Sequence, residues 1–307
     1  MSAILTVTFN PCIDVYTSVP TLKPQSKLRC SVPRMNPGGG GINVARAITK
    51  LGGFATCLYP AGGSTGKQLT RMLNEEGVTS VVIDISGETR ENLIVTDEST
   101  GLQYQLNMPG PKLDEKTVDD MLAIIDMQED LSYLVVSGSM APGMPDDIFS
   151  RLAAIAGKKK IKIIADTSGD ALKKALQCGV WLIKPSIHEL IAVAEKNGEE
   201  RLIKDLAKAF IDKHSCEVVV ISLGAAGAML VTKDGARQIS APAVQTKGTV
   251  GAGDSMVAGI VLALQAGKEL GEAVSYGCIC GAAATLHPGT SLCSREDVEL
   301  LLKLGNT

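Results

Sequence analysis

The chain has 307 residues, of which 45% are hydrophobic, 21% are charged and 3% are aromatic, and its formal net charge is −3. This composition predicts a globular protein with enough chain for a large core. It excludes a strongly cationic nucleic-acid-binding surface, and no apolar run reaches transmembrane length, so we expect neither nucleic acid nor a membrane as a partner.

The N-terminal residues MSAILTVTFNP lack the basic segment and the long apolar segment of a secretory signal. Eight cysteines occur without a Cys-x-x-Cys spacing and without a zinc-ligand pattern. These two observations favour reduced, buried thiols in a cytoplasmic protein.

Strand-like runs rich in β-branched residues alternate with helical patterns from the first residues onward. The runs ILTVTF, YLVVS, IKIIA, WLIK and EVVVIS predict short buried strands. Residues 42–51 predict a helix, because Val44, Ile48 and Leu51 fall on one helical face. Apolar strands separated by helices predict an α/β fold with a mostly parallel central sheet that is covered on both faces.

Residues 12–33 and 87–110 interrupt this alternation. They alternate apolar and polar residues without a helical period, as in NLIVTD and GLQYQL. This pattern predicts antiparallel strands outside the main sheet. We therefore expect residues 1–11, 34–86 and 111–307 to form the core, and the two interrupting segments to pair as a β lid. The uncovered face of such a lid predicts a homodimer that forms through it.

Polar residues cluster after the predicted parallel strands, at the carboxyl ends where open α/β sheets bind their ligands. Five strand ends contribute to this cluster. The residues are Asn10 and Asp14, Gly138 and Ser139, Asp166, Lys184, and Ser222 to Gly224. One such strand end would carry little weight, but five predict a common site.

Residues 37–53, PGGGGINVARAITKLGG, place four glycines before a predicted helix. A flexible turn explains some of them, although four exceed what a turn needs. Asn43 on the first helical turn offers a donor and an acceptor, and backbone amides with one carboxamide suit sugar hydroxyls. These residues alone leave the structural and the sugar-binding interpretation open.

Two further glycine motifs resemble nucleotide-binding fingerprints but lack their defining residues. AGGSTGKQ at 61–68 has Ala61 and Gln68 where a Walker A loop has glycine and serine or threonine. GAGDSM has Met256 at the third glycine position of a dinucleotide fingerprint, and it lies late in the chain. A nicotinamide-dependent dehydrogenase is therefore an alternative that these departures disfavour.

The segment TVGAGDSMVAGIVLALQAG, residues 249–267, combines a glycine turn, an acid and an apolar helix. Gly251 and Gly253 allow a close backbone approach, and the first N–H groups of the helix suit an anion. Asp254 has a purpose there if a phosphoryl group is transferred, because the attacking hydroxyl needs a base. An ordinary N-terminal helix acid leaves the preceding Gly-Ala-Gly unexplained.

The chain resembles the PfkB-type carbohydrate kinases of the ribokinase superfamily over essentially its whole length. The resemblance is carried by NPCIDVY, PGGGGINVARAITKLGG, SGSMAPG, IADTSG, VVISLGAAGAM and TVGAGDS. It implies a ribokinase-like three-layer fold with a small β-sheet lid, and ATP-dependent phosphorylation of a ketohexose monophosphate. The 6-phosphofructokinase branch is the one that four segments resemble most: KLRC, the region around Arg90, SGSMAPG and AATLHPGTSLCS.

The expected substrate is therefore fructose 6-phosphate, phosphorylated at its C1 hydroxyl. Tagatose-6-phosphate kinase and 1-phosphofructokinase are alternative activities within the same family. A catalytically weak sugar-phosphate sensor is a more distant alternative, motivated by Ser186 alone.

The resemblance also implies roles for individual residues. Asp254 is the catalytic base, and the amides of Gly251, Ala252 and Gly253 form the anion hole. The implied sugar-phosphate residues are Asp14, Gly39, Gly40, Asn43, Arg90 and Ser139, with Arg90 holding the phosphate already present. The implied ATP-binding residues are Lys27, Lys184, Ser186, Ser222, Gly224, Gly227 and Thr249.

The resemblance implies Mg²⁺ between the β- and γ-phosphates of ATP, near Glu189. Residues 186–189 read Ser-Ile-His-Glu where the family has Asn-x-x-Glu, so the acid is kept and a shorter hydroxyl replaces the carboxamide. A K⁺ ion is implied beside the anion hole. Its expected carbonyl ligands are Val250, Ala284, Gly289 and Ser291.

Overall fold

The computed structural model describes residues 4–194, 203–213, 215–287 and 292–305. These residues form one large and one small β-sheet, whose strands are numbered here in chain order. The large sheet contains β1 (Ile4–Val7), β4 (Thr56–Ala61), β5 (Thr79–Asp84), β8 (Tyr133–Ser137), β9 (Lys162–Asp166), β10 (Val180–Ile183), β11 (Cys216–Ser222), β12 (Ala228–Thr232) and β13 (Gly235–Ile239). The small sheet contains β2 (Cys12–Val19), β3 (Arg34–Gly38), β6 (Arg90–Asp97) and β7 (Gln103–Leu106).

The large sheet has the strand order β13-β12-β11-β10-β9-β8-β1-β4-β5. Its strands run parallel from β11 to β5, and β12 and β13 add an antiparallel edge. The five predicted strands are confirmed as β1, β8, β9, β10 and β11. Their carboxyl ends consequently meet at one edge of the sheet, where the polar cluster was predicted.

Helices cover both faces of the large sheet. They are α1 (Gly40–Lys50), α2 (Gly63–Glu75), α3 (Glu115–Met127), α4 (Ile148–Lys159), α5 (Gly169–Gln177), α6 (Ile187–Val193), α7 (Ile203–Asp212), α8 (Ala252–Gln265), α9 (Leu270–Ala284) and α10 (Arg295–Gly305). Strand residues alternate between two cores: Val219 packs on one face with Phe149 of α4, and Val218 on the other with Val257 of α8. This arrangement confirms the three-layer α/β prediction.

The small sheet has the order β3-β2-β6-β7 and is mixed. The pairs β2–β3 and β6–β7 are antiparallel, but the central strands β2 and β6 run parallel, with Cys12 opposite Arg90. The prediction of purely antiparallel strands is therefore wrong for the central pair. The reason is topological: β2 follows β1 and β6 follows β5, so both strands leave the core in the same direction.

The strand β3 also moves one predicted boundary. Its residues 34–38 pair with β2, although residue 34 was predicted to begin the core. The sequence RMNPG has no alternation of apolar and polar residues, and Pro37 is tolerated because β3 is an edge strand. The lid segment therefore continues to Gly38.

All eight cysteines are free, and six of them are buried. Cys178 is half-buried and Cys30 is exposed, which corrects the expectation of buried thiols throughout. Within the described residues, no helix combines the length and the apolar character that a membrane span requires.

Candidate active site

The glycines before α1 are required by close packing. A Cβ atom on Gly40 would lie 2.2 Å from Ser137 Oγ at the end of β8. A Cβ on Gly41 would lie 2.4 Å from the carbonyl oxygen of Val7 at the end of β1. Since no side chain fits there, glycine lets the start of α1 touch two strand ends. This contact carries Asn43 into the predicted site.

The glycine turn before α8 positions Asp254. Gly251 precedes the helix with a φ of 83°, a left-handed conformation that favours glycine. Asp254 lies in the first turn of α8, and its Oδ2 accepts a hydrogen bond from Asn43 Nδ2 at 3.0 Å. The N–H of Ala252 donates to the carbonyl of Thr249 at 3.3 Å. Two distant glycine segments thus meet at one carboxylate.

Burial raises the pKa of Asp254 to about 7, and the neighbouring Asp166 carboxylate raises it as well. The hydrogen bond from Asn43 and the charge of Lys184 act in the opposite direction, and Asp14 adds to the increase. Asp254 is half-buried. A carboxyl group that titrates near neutral pH is suited to take a proton from a hydroxyl group.

Lys184 and Asp166 form a buried ion pair at the ends of β10 and β9. The Nζ–Oδ1 distance is 3.1 Å, and the side chains are 7% and 15% exposed. Burial by itself lowers the pKa of Lys184, but the carboxylates of Asp166, Asp254 and Glu189 together raise it above its ordinary value. The lysine therefore stays charged beside the glycine turn, since a Cβ on Gly253 would lie 3.5 Å from its Nζ.

Asp14 lies buried on β2 and is held in a fixed orientation. Its Oδ1 accepts from Asn92 Nδ2 at 2.9 Å and from Cys12 Sγ at 3.3 Å. Burial raises the pKa of the Cys12 thiol, and Asp14 strengthens the effect, so the sulfur remains a protonated donor. The second carboxylate oxygen lies beside Gly38, because a Cβ there would come within 2.5 Å of it.

Arg90 and Ser139 meet at the border between lid and core. Arg90 donates to the carbonyl oxygens of Met108 and Asn10, at 2.9 Å each, and its Nη2 lies 3.5 Å from Ser139 Oγ. Asn10 Nδ2 donates to the same hydroxyl at 3.1 Å. Arg90 Nε and Asn10 Oδ1 are buried and have no hydrogen-bond partner among the residues that the structure describes. Buried polar groups are costly when unpaired, so this corner is suited to a polar ligand.

A cavity of about 440 Å³ opens between the β11–β12 turn, α8 and α9. Six predicted residues line it: Ser222, Gly224, Gly227, Thr249, Ala252 and Gly253. Its walls are mostly apolar, with Pro242, Val244 and Met256 among them. Flat apolar walls with a few polar groups suit a nucleotide base. A larger polar cavity, of about 980 Å³, lies beside the lid, and none of the predicted site residues that the structure describes lines it.

Ser186 and Glu189 form a capping box at the start of α6. Ser186 Oγ accepts from the Glu189 N–H at 3.3 Å, and Glu189 Oε2 accepts from the Ser186 N–H at 2.8 Å. Serine is a strong helix N-cap, so the departure from the family motif has a local structural role here. Within the described residues, no three His, Cys, Asp or Glu side chains cluster as metal ligands. One carboxylate together with phosphate oxygens and water is a donor set that fits Mg²⁺.

The structure also describes three further predicted residues, Lys27, Val250 and Ala284. Lys27 is exposed in the loop between β2 and β3. Val250 precedes the glycine turn and Ala284 ends α9, and these two segments touch where Lys247 N donates to the Thr285 carbonyl at 2.8 Å. The predicted cation ligands Gly289 and Ser291 lie outside the described residues.

Sequence reasoning assigned no role to three residues that the structure places at the site. Asp166 was recognised only as a strand end, yet it pairs with Lys184. Asn92 donates to Asp14, and Arg46 donates to Asn43. For Arg46 the sequence did contain a signal. It is a charged residue among the apolar residues of the predicted helix at 42–51.

Sequence comparison relates the chain to known proteins over nearly its whole length. A sequence profile of the pfkB family of carbohydrate kinases matches residues 6–297. The chain is 41% identical over 309 residues to ATP-dependent 6-phosphofructokinase isozyme 2 of Mycobacterium tuberculosis, covering 98% of this chain and 89% of that protein. It is 40% identical to the enzyme of the same name from Escherichia coli K12, covering 97% of each.

Solved structures agree over the full length. Phosphofructokinase-2 from Escherichia coli in complex with potassium is 38% identical, covers 100% of both chains and has a TM-score of 0.93. The same enzyme in complex with fructose-6-phosphate has 38% identity, the same coverage and a TM-score of 0.92.

Proposed function

The chain belongs to the pfkB family of carbohydrate kinases, and we propose that it transfers the γ-phosphate of ATP to the C1 hydroxyl of fructose 6-phosphate. The product is fructose 1,6-bisphosphate. One observation carries the proposal: the carboxylate of Asp254 is linked both to the apolar cavity and to polar residues of the lid. Ala252 and Gly253, which precede it, line the cavity, and the charges of Asp254 and Arg90 both act on the Cys12 thiol of β2.

The sugar phosphate is held from the lid side. Arg90 binds its 6-phosphate with the help of Ser139, because a guanidinium fork matches phosphate oxygens. Asp14 accepts hydrogen bonds from sugar hydroxyls, and the half-buried backbone of Gly39 and Gly40 faces the same space. Asn43 has one amide hydrogen left for a hydroxyl after its bond to Asp254.

The reaction step is an in-line phosphoryl transfer. The carboxylate of Asp254 accepts the proton of the C1 hydroxyl, and the oxygen forms a bond to the γ-phosphorus. The bond from that phosphorus to the β-bridging oxygen breaks, and ADP leaves. Lys184 and the N-terminus of α8 stabilise the charge on the transferred group. The amides of Gly251 and Gly253 contribute directly, and that of Ala252 contributes by exchanging its 3.3 Å bond to the Thr249 carbonyl for the phosphate.

The adenine of ATP occupies the cavity between the β11–β12 turn and α9. Lys184, Ser186 and Lys27 are the proposed contacts for the nucleotide phosphates, with Lys27 reaching them from the lid loop. Mg²⁺ near Glu189 neutralises charge on the β- and γ-phosphates when it is bound. K⁺ on carbonyl groups at Val250 and Ala284 is proposed as a further ion.

The lid is the proposed homodimer surface. Its described residues expose large apolar side chains on β3, β7 and the adjoining loops. They are Val32, Met35, Leu102, Tyr104, Leu106 and Met108. Exposed large apolar side chains of this kind are typical of an interface between subunits. The cytoplasmic location inferred from the cysteines stays a prediction.

Steady-state kinetics with three sugar phosphates test the proposed function. With ATP in excess, we expect the highest kcat/KM for fructose 6-phosphate, and lower values for tagatose 6-phosphate and fructose 1-phosphate. The measurement is coupled ADP release, with identification of the bisphosphate product. A preference for one of the other two sugars supports the corresponding alternative kinase, and binding without ADP release supports the sensor.

The pH dependence of the reaction follows from the pKa of Asp254. The base must be unprotonated, and burial raises its pKa to about 7. We therefore expect kcat/KM to increase with pH through about 7 and to level off above it. A pH series with circular dichroism at each point separates this effect from unfolding. An acid limb near the ordinary pKa of aspartate, about 4, would contradict the prediction.

A further inference from the structure

Asn43 makes two side-chain hydrogen bonds of opposite kind. Its Nδ2 donates to Asp254 Oδ2 at 3.0 Å, and its Oδ1 accepts from Arg46 Nη1 at 3.1 Å. A carboxylate can only accept and a guanidinium can only donate, so one orientation of the amide satisfies both. Arg46 and the ionised Asp254 therefore require the same orientation of the Asn43 amide, and Arg46 maintains it whether or not Asp254 is ionised.

Arg46 is itself fixed on every side. Its side chain is 4% exposed, and its Nε and Nη2 donate to the two carboxylate oxygens of Glu76 at 2.7 Å each. Nη1 also donates to the carbonyl of Pro37 at 2.8 Å. A buried guanidinium with a bidentate partner has little freedom to rotate. The chain of bonds Glu76–Arg46–Asn43–Asp254 thus runs from the end of α2 to the start of α8.

We propose that Arg46 and Glu76 are positioning residues for the base: they hold the Asn43 amide so that its N–H stays on Asp254. This inference rests on the proposed function, in which Asp254 accepts the proton. Both side chains border the large polar cavity beside the lid, and neither lines the nucleotide cavity. They act on the reaction through Asn43 and not by contact with a substrate.

If Arg46 and Glu76 have this role, removing them should raise the pKa of Asp254. The charged and titratable groups that face it come from several elements: Asp166 after β9, Lys184 after β10, and Asp14 and Cys12 on β2. None of these is altered by removing the Arg46–Glu76 pair. Without the pair, the Asn43 amide can turn its oxygen toward the carboxylate, which raises the pKa of Asp254 because the charged form loses a donor.

The double variant Arg46→Met/Glu76→Gln tests the proposal without changing the net charge. We expect the acid limb of kcat/KM to move up by about one pH unit, the effect of losing a charge-assisted hydrogen bond. At pH 7 the unprotonated fraction of Asp254 then falls from about one half to about one eleventh, so kcat/KM falls about fivefold and recovers at higher pH. The matched control is Arg71→Met/Glu75→Gln, an exposed pair of the same residue types on α2. We expect the wild-type profile for it.

Carbon-13 NMR measures the pKa of the Asp254 carboxyl directly, without turnover. The Asp254→Asn variant identifies its signal. An unshifted titration in the double variant overturns the positioning role, as does a loss of turnover that is equal at all pH values. Absence of turnover in the wild type contradicts the proposed function alone.

If the double variant does not fold, Glu76→Gln replaces it. Charge alone would then lower the pKa of Asp254, since Arg46 loses its counter-ion. If Glu76→Gln instead frees Arg46 to move, the Asn43 amide can turn its N–H away from Asp254, and the pKa of Asp254 rises. An upward shift supports the proposal, and an absent or downward shift overturns it.

Discussion

The Asp254→Asn variant is expected to lose turnover by about 10²- to 10⁴-fold, the usual range for a general base. Asparagine keeps the size of the side chain, and its amide oxygen can still accept the hydrogen bond from Asn43. It cannot take the proton of the sugar hydroxyl. We therefore expect the affinities for ATP and fructose 6-phosphate to change little, measured by calorimetry alongside coupled ADP release.

Thermal unfolding of the same variant supplies the control. Burial raises the pKa of Asp254 to about 7, whereas the unfolded chain has the ordinary value of about 4. Ionising the carboxylate thus costs folding free energy above pH 7, and this cost is absent below pH 4. Asp254→Asn should raise Tm at pH 8, with a gain that disappears toward pH 4. Near-wild-type turnover in this stabilised variant would contradict the role of the base.

The Arg90→Met variant is expected to raise KM for fructose 6-phosphate by about 10²-fold, with a smaller decrease in kcat. Each charge-assisted hydrogen bond contributes about 1.5–3 kcal/mol, and we propose that Arg90 donates two to the phosphate, from Nε and from the Nη2 that faces Ser139. KM for ATP should stay within a factor of about two, because Arg90 does not line the apolar cavity that we propose for the adenine.

Fructose without its phosphate provides the specific control for Arg90. Its low kcat/KM should be nearly the same in Arg90→Met and in the wild type, since no phosphate is present to bind. The exposed Arg34→Met variant on β3 controls for loss of an arginine in the lid. Equal losses with fructose and with fructose 6-phosphate would show that Arg90 acts through the fold and not on the phosphate.

Much of the core was predictable because its signals are local. Uninterrupted apolar strands indicated a parallel sheet, and parallel strands place their carboxyl ends together. The glycine turn before Asp254 indicated an anion-binding helix N-terminus with a base beside it. Ser186 shows a limit of a different kind: its S-x-x-E capping signature was present in the sequence. It was interpreted as a departure from a ligand motif, and its local helix-capping role was missed.

The contacts that complete the site were not predictable because they join distant segments. Asn92 and Asp14 are 78 residues apart and meet only because β2 and β6 run parallel. Glu76 and Arg46 meet because α2 ends beside the middle of α1. No pattern in a single chain marks such pairs, and the edge strand RMNPG has no periodic signal at all.

A crystal structure of the chain with fructose 6-phosphate and a non-hydrolysable ATP analogue is the most direct test of the assignment of Asp254. We expect the C1 hydroxyl oxygen within about 3 Å of a carboxylate oxygen of Asp254, with the sugar phosphate on Arg90 and the γ-phosphate at the start of α8. A sugar bound with C1 away from Asp254, or with its phosphate away from Arg90, would contradict the mechanism.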